Sequence, residues 1–146
     1  MDILICEDNP VIAMDLGWML QDMGHHVCGT VATSVKGMEQ CALTKPDLVM
    51  VDLNLADGRT GLGLVEALAQ LCIPTVIVSG ETHTLPETTS AKAVVSKPFN
   101  EDILAHALAE VEQYYQSPMV EASAGRPEAT HGGGRAPARS FWPWRK

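Results

Sequence analysis

The sequence has no long apolar run and no recognisable signal peptide. None of its apolar stretches approaches the roughly 18 residues that a membrane-spanning helix needs. The N-terminus, MDILICEDNP, has an acid at position 2 and lacks the basic region and long apolar segment of a secretory signal. We therefore expect a cytoplasmic globular protein of about one domain.

Closely spaced cysteines are also missing. The chain contains Cys6, Cys28, Cys41 and Cys72, which lie far apart and form no CxxC pair. Each lies in or beside an apolar segment, so we interpret them as small buried thiols in a reducing cytosol. A zinc site or a disulfide framework is the less favoured alternative.

Basic residues are scarce in the first four fifths of the chain. Residues 1–116 carry 16 acids and 5 Lys/Arg, a net charge of −11, whereas residues 117–146 carry 2 acids and 5 Lys/Arg, a net charge of +3. An acidic body disfavours nucleic-acid binding, and no helix-turn-helix follows residue 116, so a transcription factor is not expected.

The composition changes at about residue 116. Beyond it the chain is rich in Gly, Pro, Ala and Arg and can bury little apolar surface, so we predict one domain over 1–116 and a flexible tail over 117–146. The tail ends in SFWPWRK, which leaves open docking into a groove or contact with anionic lipid. Disorder without membrane contact is the expectation.

The first 116 residues predict five strands in alternation with helices. The predicted strands are 2–6, 26–32, 48–52, 74–80 and 93–96. The predicted helices are 9–24, 34–44, 60–71 with Thr60 as N-cap, and 101–115, with a poor helix at best over 85–91 because Thr and Ser are weak helix formers. Five such β/α units predict an α/β fold, a doubly wound parallel sheet with the flavodoxin-like order 2-1-3-4-5.

Polar residues stand at the ends of four of these strands. Glu7 and Asp8 follow the first strand, Asp52 ends the third, Ser79 ends the fourth, and Lys97 follows the fifth. Ligands bind at this edge of open α/β sheets. Three neighbouring carboxylates repel one another unless a cation lies among them, and an all-oxygen set suits Mg²⁺. A carboxylate can also be the nucleophile that forms an aspartyl phosphate.

Residues 1–116 resemble the receiver domain of two-component response regulators. The family's acidic pair matches Glu7-Asp8, its phosphoacceptor Asp52, its hydroxyl position Ser79, and its Lys-Pro-Phe motif Lys97-Pro98-Phe99, where a cis peptide usually precedes Pro98.

The resemblance implies the following chemistry. A sensor histidine kinase or histidine phosphotransfer protein donates a phosphoryl group to Asp52, and a downstream protein partner reads the resulting conformational change. Mg²⁺ is held by Glu7, Asp8, Asp52 and the backbone carbonyl of Asn54. Lys97 pairs with the phosphoryl group and Ser79 hydrogen-bonds to it. Beyond its own phosphorylation and dephosphorylation, the chain is not expected to be an enzyme.

Residues around this site are expected to modulate the reaction. In the family, the residues two positions past the phosphoacceptor and the hydroxyl tune hydrolysis, which here are Asn54 and Glu81. Gly80 leaves room for the phosphoryl group. Val94 departs from the pattern, because the family usually has Tyr or Phe at this position. We therefore expect the phosphorylation-dependent conformational change to be transmitted through backbone order around residues 81–92.

The first helix is predicted to be apolar on two faces. One stripe faces the sheet, and a second consists of Val11, Met14 and Trp18. The second stripe either packs against the last helix or forms the docking site of the phosphodonor.

Two other functions compete with phosphorelay signalling. A receiver-like interaction module that is not phosphorylated stays possible because of Val94. A haloacid-dehalogenase-like phosphatase is disfavoured, since that family needs a second aspartate where this chain has Asn54.

Overall fold

The computed structural model describes residues 1–117 and contains one five-stranded sheet. All neighbouring strands are parallel and their order is β2-β1-β3-β4-β5. The strands are β1 (Asp2–Cys6), β2 (His26–Val31), β3 (Leu48–Val51), β4 (Thr75–Ser79) and β5 (Ala93–Ser96). The predicted fold class and strand order are confirmed.

Within residues 1–117, four α-helices cover the two faces of the sheet. They are α1 (Pro10–Asp22), α2 (Ser34–Thr44), α3 (Gly61–Gln70) and α4 (Glu101–Gln116). The connection from β4 to β5 contains a single 3₁₀ turn, Thr82–Thr84, and no α-helix. The fourth of the five expected β/α units therefore lacks its helix, because the Thr/Ser-rich segment over 85–91 does not form one.

The central strand β3 is buried on both faces, as its continuous apolar sequence predicts. Leu48 and Met50 pack in the cluster with α1 and α4, whereas Val49 and Val51 pack in the cluster with α2 and α3. This double burial anchors the strand end from which Asp52 extends.

Three of the four described helix starts are held by side-chain capping bonds, and the fourth is held differently. The Thr33 hydroxyl caps α2 by accepting from a backbone N–H of its first turn at 3.1 Å. Asn9 accepts hydrogen bonds from the backbone N–H groups of Val11 and Ile12, so the cap of α1 is Asn9 and not Asp8. Asn100 caps α4 in the same way. Thr60 is the N-cap residue of α3, as predicted, but its hydroxyl donates to Asp57 and makes no capping hydrogen bond to the helix.

The outer face of α1 is open. Val11, Met14 and Trp18 are 67%, 49% and 59% exposed, so this stripe is not packed against α4. Within residues 1–117, no helix combines the length and apolar character needed to cross a bilayer. The predicted flexible tail lies, from residue 118 onward, outside the described residues.

The prediction of buried cysteines is confirmed for Cys6 and Cys41 and is wrong for Cys72, which is exposed, while Cys28 is half-buried.

Candidate functional site

The carboxyl ends of four adjacent strands bring the predicted polar residues together. Asp52 directly follows β3 at the centre, with Glu7 and Asp8 after β1 on one side. Ser79 ends β4 and Lys97 follows β5 on the other side. Residues separated by as many as 90 positions in sequence thus meet at one edge.

Lys97 joins the two buried carboxylates of the site. Its ammonium group donates to Glu7 Oε2 at 2.7 Å and to Asp52 Oδ2 at 2.8 Å. Glu7 is only 4% exposed and Asp52 only 7%. Buried carboxylates are costly without a counter-charge, so this ion pair explains how both are accommodated.

Burial and pairing shift the proton affinities of this ion pair. Burial raises the pKa of Glu7, although its hydrogen bond from Lys97 opposes the rise. Burial lowers the pKa of Lys97, but its hydrogen bonds to Asp52 and Glu7 outweigh that effect and the net pKa is raised. Lys97 is therefore a firmly protonated cation at the site.

Three carboxylates form a set that suits a divalent cation. One oxygen each of Glu7, Asp8 and Asp52 lies within 4.8 Å of the others. Asp8 is exposed, whereas Glu7 and Asp52 are buried, so the set opens to solvent on one side. Hard oxygen ligands with room for water match the coordination that Mg²⁺ prefers. The carbonyl of Asn54 as a further ligand stays a prediction.

A second group of polar residues borders Asp52 on the β4 side. Ser79 is buried, and its hydroxyl oxygen accepts a hydrogen bond from the Glu81 backbone N–H at 3.1 Å. The Glu81 carboxylate accepts from the Asn54 side-chain amide at 3.0 Å. The two predicted modulating residues, Asn54 and Glu81, are thus in direct contact.

The other predicted residues have simpler surroundings. The Lys97–Pro98 peptide bond is cis, as the resemblance implies. A Cβ atom added at Gly80 would meet nothing within 4 Å, so this position is open. Val94 is 42% exposed on β5 and lies in a shallow groove against α4 with Ile103 and His106.

Gly61 lies directly against the backbone of Asp52, and sequence reasoning gave it no role. A Cβ atom at Gly61 would lie 1.9 Å from the backbone oxygen of Asp52 and 2.6 Å from Leu53 Cα. The start of α3 therefore packs directly against the backbone that carries Asp52. The sequence signal was a glycine at the start of a predicted helix, which does not by itself reveal a close backbone approach.

Asp57, which had no predicted role, joins two helix starts. Its carboxylate accepts from the backbone N–H of Ser34 at 3.1 Å and from the Ser34 hydroxyl at 2.6 Å. It also accepts from the Thr60 hydroxyl at 2.7 Å. These hydrogen bonds, led by the one from the Ser34 hydroxyl, hold the pKa of Asp57 well below its usual range. Asp57 thus fastens the loop after β3 to α2 and α3.

Arg59, in the same loop, also had no predicted role. Its Nη2 atom lies 3.6 Å from Glu81 Oε2 and donates to the Thr84 hydroxyl at 3.2 Å. It therefore connects the loop after β3 with the 3₁₀ turn after β4.

Comparison with known families identifies the type of domain that carries this site. Residues 3–109 match the family model described as the response regulator receiver domain. Among curated proteins, the chain is similar to the phyllosphere-induced regulator PhyR of Methylorubrum extorquens, with 33% identity over 102 residues. That match covers 67% of this chain but only 38% of the length of PhyR.

Solved structures give the same result. The receiver domain of PhyR from Erythrobacter litoralis superposes with a TM-score of 0.70 at 32% identity, covering 80% of this chain and 93% of that one. SdrG from Sphingomonas melonis superposes with a TM-score of 0.67 at 33% identity, covering 76% and 95% of the two chains.

Proposed function

Since this chain belongs to the response regulator receiver domain family, we propose that it accepts a phosphoryl group on Asp52 from a phosphohistidine donor. The observation that carries the proposal is the environment of Asp52, which is 7% exposed, paired with Lys97 at 2.8 Å and grouped with Glu7 and Asp8. A buried carboxylate between a cation and two further acids is suited to phosphoryl transfer.

The transfer step exchanges one bond to phosphorus for another. A carboxylate oxygen of Asp52 attacks the phosphorus atom, the P–N bond to the donor histidine breaks, and the imidazole nitrogen keeps the electron pair. Lys97 offers its positive charge to the phosphoryl oxygens. Glu7, Asp8, Asp52 and the Asn54 carbonyl would hold Mg²⁺, which supplies further positive charge toward the phosphoryl group.

We propose that Ser79 transmits the conformational change that follows phosphorylation of Asp52. Its oxygen now accepts from the Glu81 N–H, and a move toward a phosphoryl group on Asp52 would alter that bond. The change then reaches the 3₁₀ turn that follows Glu81. Such a route uses backbone order rather than an aromatic ring and fits Val94 on β5.

The partners follow from the same chemistry. The donor is a sensor histidine kinase or a histidine phosphotransfer protein, and the exposed face of α1 (Val11, Met14 and Trp18) is the proposed docking surface for it. A downstream protein partner reads the altered state. The only reactions proposed for the chain are its own phosphorylation and dephosphorylation.

One alternative has a specific observation in its favour. An exposed Val94 in place of an aromatic residue is compatible with an interaction module that is not phosphorylated. The haloacid-dehalogenase-like phosphatase is not supported, because Asn54 donates its amide to Glu81 and has no acidic proton to give.

The test is labelling with acetyl phosphate and Mg²⁺, followed by intact-protein mass spectrometry. We expect the wild type to gain one phosphoryl group and Asp52→Asn to gain none. Asp15→Asn, which changes an exposed acid on α1, is the matched control and should be labelled normally. No mass change in the wild type would favour the interaction module.

A further inference from the structure

Arg59 is a charged residue near the site to which the chemistry proposed above gives no task. Its guanidinium group reaches from the loop after β3 to two residues of the loop after β4, Glu81 and Thr84. The Thr84 hydroxyl in turn donates to the Glu81 backbone carbonyl at 2.8 Å. Arg59 therefore contacts Glu81 directly and also holds the turn on which Glu81 lies.

Glu81 is itself connected to the reacting carboxylate. Its side chain is bonded to the amide of Asn54, whose backbone N–H points to Asp52 Oδ1 at 3.4 Å. Its own N–H binds the Ser79 hydroxyl. Two hydrogen bonds through Asn54 thus connect Glu81 to Asp52, so a change in the position or effective charge of Glu81 alters the surroundings of Asp52.

The excess of negative charge around the site indicates a role for the Arg59 cation. Glu7, Asp8, Asp52 and Glu81 place four carboxylates at or beside the site, with Lys97 occupied by Glu7 and Asp52. Phosphoryl donors are anions, so an unopposed Glu81 carboxylate would repel them. Arg59 is the cation that opposes it.

We infer that Arg59 is a positioning residue that neutralises Glu81 and holds it against Asn54, so that an anionic phosphoryl donor can approach Asp52. This inference rests on the proposed function. It adds to that function an electrostatic role for the Arg59–Glu81 pair on the β4 side of the site, which we call the electrostatic gate.

The alternative is that Arg59 and Glu81 form an exposed ion pair that has no effect on phosphorylation. Their side chains keep 65% and 44% of their surfaces exposed, and exposed ion pairs contribute little. Lys36 and Glu39 on α2 form such a pair at 3.1 Å and provide a control remote from Arg59 in the chain. A purely structural role would make the turn looser but would not depend on the charge of the donor.

The experiment compares labelling rates with two donors. Acetyl phosphate is a dianion at neutral pH, and phosphoramidate carries less net negative charge. We expect Arg59→Gln to slow labelling by acetyl phosphate about two- to fivefold at low salt and to slow labelling by phosphoramidate less. High salt should narrow the difference, because exposed charges are screened. Lys36→Gln should change neither rate.

Two more variants separate charge from structure. Arg59→Lys keeps the cation and should retain most of the acetyl phosphate rate, and Glu81→Gln added to Arg59→Gln should restore it by removing the unopposed carboxylate. Equal slowing with both donors, or no rescue, would overturn the gate while leaving phosphorylation of Asp52 in place. A wild type that neither donor labels would overturn the proposed function and the gate together.

Discussion

At the residue scale, the site depends on the packing of the Asp52 backbone as much as on the partners of the Asp52 carboxylate. Lys97 contacts its carboxylate and links it to Glu7, whereas the backbone oxygen of the same residue faces Gly61. A side chain there would push the β3–α3 connection outward, because a backbone atom cannot rotate away as a side-chain tip can.

We predict that Gly61→Ala destabilises the domain by about 2 kcal/mol and slows acetyl phosphate labelling about tenfold or more, since small displacements of a nucleophile are costly. Gly63→Ala is the control, because a Cβ atom there meets nothing within 4 Å. It should stabilise α3 by about 0.5–1 kcal/mol through helix propensity. Urea unfolding and labelling rates measure both effects, and a harmless Gly61→Ala would contradict the prediction.

At the scale of elements, two features set this domain apart from a plain five-unit α/β sheet. The β4–β5 connection has a 3₁₀ turn and no α-helix, in line with the poor helix predicted there. The apolar outer stripe of α1 has no described partner within residues 1–117. The connection is still attached to the body, because Ser90 donates to Glu66 of α3 at 2.7 Å and Leu85 packs against the core.

For the connection, we predict that the amides of residues 82–92 exchange hydrogen faster than those of β4, because few hydrogen bonds and little burial protect them. Beryllofluoride with Mg²⁺, which mimics the phosphoryl group, should change exchange in this segment and leave α2 unchanged. Hydrogen exchange measured by mass spectrometry checks both statements. A segment that is as protected as β4 and unaffected by beryllofluoride would refute the proposed backbone route.

For the outer face of α1, we predict that Trp18→Ala lowers phosphotransfer from a histidine kinase that labels the wild type by about tenfold, because large buried aromatics dominate interface energies. Labelling by acetyl phosphate should stay normal. Leu43→Ala removes an exposed apolar residue from α2 and serves as the control. An equal loss with both donors would mean that Trp18 affects the site and not docking.

At the scale of the whole molecule, cation binding at the acidic site would be coupled to stability. The three carboxylates of Glu7, Asp8 and Asp52 are opposed by Lys97 alone among the ion pairs found in residues 1–117. A cation that binds the folded site and not the unfolded chain must raise the free energy of unfolding.

We predict that Mg²⁺ at about ten times its Kd raises the unfolding free energy by about 1.4 kcal/mol. Asp8→Asn should abolish most of this gain, because it removes the exposed ligand of the set. Asp15→Asn leaves the set intact and should keep the gain. Thermal unfolding with and without Mg²⁺ measures the difference, and an equal gain in both variants would place the binding elsewhere.

The sequence by itself determined the fold and the position of the main site residues. Continuous apolar strands and amphipathic helices can be satisfied by few arrangements, and the parallel order then forces Glu7, Asp52, Ser79 and Lys97 to one edge. The sequence also predicted that residues 85–91 form a poor helix at best, because the low helix propensities of Thr and Ser act locally.

Only the tertiary structure decided the contacts that depend on exact approach between loops distant in sequence. Gly61 against the backbone of Asp52, Asp57 between two helix starts, and Arg59 across to Glu81 all arise from how the β3–α3 loop folds onto its neighbours. Short-range pattern does not encode such distances. They are set by the packing of whole elements, which positions each loop against its neighbours.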